Sequence, residues 1–252
     1  MSHGGAVGFG RRVARWKGRI PLFVGVTGHR NLDADQQPAI EQQLRSFFQG
    51  LRTAVPSTPI VVLSQLAEGA DQLVASLGLQ TGCESACVLP LDVATYRTRF
   101  GNEHAREAFD RLLAASVIIE LPGVAGFATQ RERGYAAAGT FIARHATILL
   151  ALWDGVASTR PGSTADLVRA RTSGWVGSDG PAVYHLVVRR RDSATVLVEK
   201  LLPDTAVRRI DPDDAEGLSA ADALEACGWR GAEEFNATIG ADPSSRGGPA
   251  VP

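Results

Sequence analysis

With 252 residues, 44% of them hydrophobic and 21% charged, the chain is long enough to bury one sizeable core and reads as one principal globular domain. Its 26 Lys and Arg nearly balance 27 Asp and Glu. That balance excludes the broad field of a nucleic-acid-coating or membrane-surface protein, so any anion site is local and there is no strong nucleic-acid signal. Cys83, Cys87 and Cys227 are too few for a disulfide framework, nothing at the amino end reads as a secretory signal, and no apolar run reaches the roughly 18 residues of a membrane span. A cytoplasmic protein is expected.

Residues 1–19 are Gly-rich and then basic, with Arg11, Arg12, Arg15, Lys17 and Arg19 around a single Trp16, the composition of a flexible, solvated arm. Strand-like runs follow at 22–26, 60–63, 86–91, 116–121, 148–153 and 183–188, most of them continuously apolar rather than alternating. Such runs predict strands buried on both faces. Helix-period segments lie between them at 36–54, 68–79, 103–115, 131–145 and 164–171. This β-α-β-α alternation predicts an α/β fold with a doubly wound, mostly parallel, Rossmann-like sheet over residues 20–191.

Residues 192–240 read as a C-terminal extension. A further strand is expected at 194–202, an edge hairpin with 183–188 being one arrangement; an acidic turn-rich stretch follows at 210–217, then a helix over 220–239 interrupted at Gly228 and Gly231. Residues 241–252 are Ser/Gly/Pro-rich and are expected to be a disordered tail. The Cys83-x-x-x-Cys87 pair has no His/Cys partner pair at zinc spacing, and Cys87 in an apolar strand fits a small buried side chain. No metal and no cofactor is expected.

In open α/β sheets ligands bind beyond the carboxyl ends of the strands, where the strand order reverses. After the first strand stand Thr27, Gly28, His29 and Arg30. Gly28 gives backbone room, Thr27 a hydroxyl and Arg30 a fork suited to phosphate, although the same residues also build an ordinary tight turn. After the second come Ala67, Glu68, Gly69 and Asp71 at a helix start, where free amides meet anions and the acids accept from a ribose or complement the helix dipole. The third strand leads to Asp92 and to Tyr96-Arg97-Thr98-Arg99-Phe100; here Arg99 grips a phosphate, or the two aromatic rings pack on the core. A glycine-bearing loop, Leu121 to Phe127, precedes the helix that starts at Arg131. After the fifth strand, Trp153-Asp154-Gly155 and then Pro161-Gly162-Ser163-Thr164 offer amides, hydroxyls and a helix dipole to a phosphate, and the hydroxyls equally serve as helix caps.

Taken together, Val24-Gly25-Val26-Thr27-Gly28-His29-Arg30, Leu66-Ala67-Glu68-Gly69-Ala70-Asp71, Tyr135-Ala136-Ala137-Ala138-Gly139, Leu152-Trp153-Asp154-Gly155 and Pro161-Gly162-Ser163-Thr164 resemble the SLOG superfamily. This is the Rossmann-like group named for the Smf/DprA and LOG proteins, with relatives in TRPM channel cytoplasmic regions and bacterial nucleotide-sensing systems. The resemblance runs over roughly residues 20 to 190 and is closer to the sensor and TRPM-like branches than to LOG hydrolases.

The resemblance implies a nucleotide-derived ligand, of the ADP-ribose or cyclic-nucleotide kind, bound by Thr27, Gly28, His29, Arg30, Ala67, Glu68, Gly69, Asp71, Asp92, Arg99, Trp153, Asp154, Gly162, Ser163 and Thr164. In the sensor branches the signal passes to an effector module; LOG-like relatives form dimers, which implies a homo-oligomer. LOG-type members hydrolyse nucleotide N-glycosidic bonds with an Arg and a Glu near Pro-Gly-Gly-x-Gly-Thr-x-x-Glu. This chain has fewer glycines there and carries Asp166 where that Glu is expected. Asp is one methylene shorter, and a misplacement of about 1 Å can cost on the order of a hundredfold in rate. A nucleotide N-glycosidase using Asp166 or Glu68 is therefore the alternative to a sensor, and a DprA-like nucleic-acid binder the second alternative.

Overall fold

The computed structural model of the chain describes residues 18–123, 131–172, 183–191, 207–214 and 217–240. Seven strands form one all-parallel sheet: β1 (Leu22–Gly28), β2 (Ile60–Ser64), β3 (Glu84–Leu89), β4 (Val117–Glu120), β5 (Ile148–Trp153), β6 (Val183–Val187) and β7 (Val207–Ile210). Their order is β4-β3-β2-β1-β5-β6-β7. The chain winds outward from β1 to β4, returns to the other side of β1 with β5, and winds outward again. The strand order thus reverses between β1 and β5, where Thr27 sits opposite Ala151 and Gly28 opposite Leu152. The doubly wound Rossmann-like expectation matches this sheet.

Helices α1 (Gln37–Ala54), α2 (Ala70–Gln80), α3 (Val93–Arg97), α4 (Glu103–Ala115), α5 (Arg131–His145), α6 (Thr164–Thr172), α7 (Ala220–Ala226) and α8 (Arg230–Gly240) complete the described elements. Two apolar cores result, one on each face of the sheet. In the first, Ile40, Leu44, Phe47 and Phe48 of α1, Val74 and Leu77 of α2, and Phe109 of α4 pack on Val24, Val26, Val62, Leu150 and Leu152. In the second, Ala138 and Ile142 of α5 and Val168 of α6 pack on Val61, Leu63, Val88, Leu149 and Ala151. Burying such a side chain is worth about 1.5–3 kcal/mol, so the apolar stripe of α1 alone anchors that helix.

Strand β5 is buried at every position, as a central parallel strand covered on both faces must be. β4 departs from that pattern: as the edge strand it alternates, and Ile118 is 41% exposed. α3 was not expected from the sequence, because five residues are too few to show a helical period. Asp92 starts it by accepting the amide of Thr95 at 2.9 Å, and Tyr96 and Phe100 turn inward onto Phe109.

The segment expected as one interrupted helix is two. Gly228 takes a positive φ of 63° at the break between α7 and α8, while Gly231 lies inside α8. The strand expected at 194–202 and its hairpin lie outside the described residues, and β6 instead pairs in parallel with β7. The basic arm up to residue 17, residues 124–127 of the glycine-bearing loop with the three that follow, and the tail from residue 241 also lie outside them. No helix among the described residues is long and apolar enough to cross a membrane.

Candidate functional site

At the carboxyl ends of β1 and β5 the backbone is packed too closely for side chains. A Cβ on Gly28 would come within 2.5 Å of both Ala70 Cβ and the Leu152 carbonyl. The His29 amide donates to Leu152 O at 2.9 Å, and the Ala70 amide donates to His29 O at 2.9 Å. Gly69, with φ of 85°, lies against the carbonyls of His29 and Arg30. On the other side the Thr27 hydroxyl meets Thr164 Oγ1 at 3.2 Å, joining the end of β1 to the start of α6. Three separate stretches of sequence thereby border one cleft of about 950 Å³.

Of the residues singled out from the sequence, Thr27, Gly28, His29, Arg30, Ala67, Asp71, Arg99, Gly162, Ser163 and Thr164 line this cleft. Arg30, Arg99, Arg131, Arg133, Arg160 and Arg190 stand against only two lining carboxylates, Asp71 and Glu132. The Arg30 guanidinium lies 5.5 Å from the centre of the Tyr135 ring. Burial works against its charge, but the hydrogen bond to Tyr135 and nearby groups outweigh this and raise its pKa. Arg99 and Arg131 make no ion pair among the described residues. The Arg160–Glu132 contact at 3.8 Å joins two exposed side chains and contributes little. The field in the cleft is locally positive although the chain is neutral overall.

The start of α6 carries a second anion-directed feature. Ser163 Oγ accepts the Asp166 amide, and Asp166 Oδ2 accepts the Gly162 amide at 2.9 Å, a reciprocal cap. The amides of Thr164 and Ala165 make no hydrogen bond among the described residues, and they lie at the positive end of the helix dipole. Gly162 has φ of 73° and no room for a Cβ against the Ala136 backbone, which seats this loop on α5.

Asp154 and Trp153 do not line the cleft. The Trp153 ring is in the second core, tilted on His185, with its indole N–H donating to Val156 O. Asp154 is buried behind His29. Its amide donates to His29 Nε2 at 3.0 Å, its Oδ1 accepts the Val156 amide, and its Oδ2 forms an ion pair with Arg190 Nε at 2.8 Å. His29 Nε2 accepts a further contact from Arg190 Nε at 3.3 Å. Burial lowers the His29 pKa, with Asp154 opposing that effect and Arg190 reinforcing it. Nε2 also lies 3.1 Å from Asp154 Oδ1.

The remaining candidates have structural partners. Glu68 accepts from the Gly101 amide and from Asn102 Nδ2, Asp92 caps α3, and Asp166 is held by Gly162 and by Arg169 at 2.7 Å. Asp71 is buried at the cleft floor and accepts from Ser64 Oγ and the Gln65 amide. Burial pushes its pKa up to about 6 against those hydrogen bonds.

Sequence reasoning passed over Arg131, Arg133, Arg160 and Arg190 as site residues. The first two open α5 and Arg160 precedes the Pro161-Gly162 turn, positions next to strand ends already singled out. Arg190 follows β6, and nothing local marks its partner in Asp154.

No protein-family model matches the chain, and no curated protein matches it in sequence. Among solved structures, DNA processing protein A (DprA) from Streptococcus pneumoniae is similar at 18% identity and a TM-score of 0.48, over 81% of this chain and 61% of that one. DprA from Helicobacter pylori, described for its single-stranded DNA binding mode, is similar at 11% identity and a TM-score of 0.44, over 89% and 82% of the two chains. The structural-genomics protein TM1055 is similar at 13% identity and a TM-score of 0.40, over 81% and 96%. The chain thus spans about three fifths of the length of the S. pneumoniae protein.

Proposed function

We propose that this chain binds a phosphate-bearing small molecule, a nucleotide or a nucleotide-derived messenger, in the cleft beyond β1 and β5, and holds it without cleaving it. The observation that carries the reading is the charge of the cleft: six lining arginines face two lining carboxylates, beside the amides at the start of α6 that make no hydrogen bond among the described residues. A cleft of about 950 Å³ matches the upper end of small-ligand pockets. The two carboxylates that the sequence offered for glycosidic chemistry are engaged elsewhere, Asp166 in capping α6 and Glu68 in holding the start of α4, and neither lines the cleft. A general acid or base has to reach the reacting bond. This favours the sensor reading of the SLOG resemblance over the N-glycosidase one.

The test is a thermal-shift and calorimetric screen of nucleoside monophosphates, cyclic nucleotides, NAD and ADP-ribose, with chromatography for released base. One of these ligands should stabilise the protein, by about 2.7 kcal/mol at a concentration 100 times its dissociation constant, with no base released. Arg30→Ala should weaken that ligand without unfolding the domain. Base release at enzyme-like rates would replace holding by hydrolysis. Silence across the panel, with salt-sensitive retention of single-stranded DNA, would replace it by nucleic-acid binding.

A further inference from the structure

The exit of β6 is sewn to the exits of β5 and β1. The Val188 amide donates to Trp153 O at 3.0 Å, the Arg191 amide to Asn31 O at 3.0 Å and the Asp33 amide to Arg189 O at 3.1 Å, and Leu32 and Arg190 form an isolated antiparallel bridge. This backbone frame sets Arg190 at the mouth of the cleft. Its side chain is 43% exposed, and its Nε is engaged by Asp154 Oδ2, a carboxylate only 5% exposed. An arginine has five N–H donors. Here only the Nε–H is used, and the two terminal nitrogens make no hydrogen bond among the described residues.

A buried carboxylate without a partner is costly, and its attraction to a nearby cation is strong in the low local dielectric. Asp154 therefore holds one edge of the guanidinium, and His29 Nε2 accepts from the same Nε at 3.3 Å. A side chain that would otherwise sample many rotamers is fixed at its inner edge. Its outer edge is the planar fork that pairs with two oxygens of one phosphate.

Building on the reading of the cleft as a nucleotide site, we propose that Arg190 grips a phosphate of the bound ligand, and that Asp154 and His29 are positioning residues that aim it. His29 and Asp154 thereby serve as the support of an arginine that lies far from both in sequence, rather than as ligand contacts. The α6 start lines the same cleft and offers the ligand a second anion-directed feature.

The experiment titrates the full chain with ADP, and with inorganic pyrophosphate as a probe lacking base and ribose, by calorimetry. The variants are Arg190→Ala, Arg190→Lys, Asp154→Asn and the Arg190→Ala/Asp154→Asn double, with Arg191→Ala as a neighbouring exposed control. Loss of charged hydrogen bonds should make Arg190→Ala at least about tenfold weaker for both probes. Arg190→Lys should recover only part of this, because a point charge cannot reproduce the fork. Asp154→Asn should weaken binding alone but not on top of Arg190→Ala, since a positioning residue has nothing left to position. Arg191→Ala should stay within about twofold.

Parent-like affinity in Arg190→Ala, or full additivity of the two substitutions, would overturn the proposal. Should Asp154→Asn not fold, the two Arg190 variants still decide it, because that side chain is half exposed. A parent protein that binds neither ADP nor pyrophosphate would remove the reading of the cleft and this inference together, whereas parent binding that Arg190→Ala leaves unchanged removes this inference alone.

Discussion

Asp71 is a carboxyl that the fold makes expensive to ionise, and the cost can be read from stability. It is buried beneath the cleft, its Oδ2 accepts from Ser64 Oγ at 3.0 Å and the Gln65 amide at 3.1 Å, and burial pushes its pKa from 3.8 to about 6. The folded state therefore binds the proton more tightly than the unfolded state. Below pH 3.8 both states are protonated and the penalty is absent; it grows through the window between 3.8 and 6 and is complete above it. A tenfold difference in proton affinity is worth about 1.36 kcal/mol, so ionised Asp71 costs the fold about 3 kcal/mol at neutral pH. Between pH 4.5 and 7.5 the same linkage amounts to about 2 kcal/mol. His29 and His185 titrate in the opposite sense, since burial lowers both and their contribution is lost as pH falls through the unfolded value of 6.5. Absolute stability therefore mixes these contributions, and the difference between Asp71→Asn and the parent isolates Asp71. Urea unfolding of both proteins across that range should show the variant gaining about 2 kcal/mol on the parent as pH rises. Any packing difference of the amide moves the whole curve without altering its slope. A flat difference curve would refute the assignment of Asp71 as a buried, reluctantly ionised acid.

Two further substitutions test the frame around the cleft. Gly69→Ala places a Cβ 2.4 Å from the carbonyls of His29 and Arg30 at a φ of 85°; strain and clash together should lower stability by more than about 3 kcal/mol and displace the turn that lines the cleft, and a urea midpoint equal to that of the parent would refute it. Asn236 is fully buried and bonds Ile20 N, Ile20 O and Thr58 Oγ1 at 2.7, 2.8 and 2.9 Å. Asn236→Ala should cost about 2–4 kcal/mol through the groups left unpaired, yet leave ligand affinity unchanged, because it acts at the amino ends of β1 and β2; a matching loss of affinity would show that the two ends of the sheet are coupled.

The local level of the fold was legible in the residues. β5, α4 and α5 have the predicted bounds, because apolar runs buried on both faces and helices with sustained period are set by near neighbours. α3 was not legible: its start depends on one Asx cap and its inward rings on Phe109 and Tyr135 from other elements. In the candidate site, Thr27, Arg30, Gly162 and Thr164 could be picked out because strand exits and helix starts are where backbone amides are free. The roles of His29, Asp154 and Glu68 could not, since a side chain that reads as a ligand contact is satisfied by whichever polar atom the fold brings near.

The residue order by itself determined that β-strands alternate with helices, that the sheet is parallel and covered on both faces, and that the candidate ligand residues stand at strand exits, because propensity and burial pattern act over a few neighbouring residues. Only the tertiary structure decided that the order reverses between β1 and β5, that arginines from α5, from the turn before α6 and from beyond β6 share one cleft, and that Asp154 meets Arg190. Those contacts join residues tens of positions apart, and their partners are chosen by strand order and packing rather than by anything adjacent in the chain.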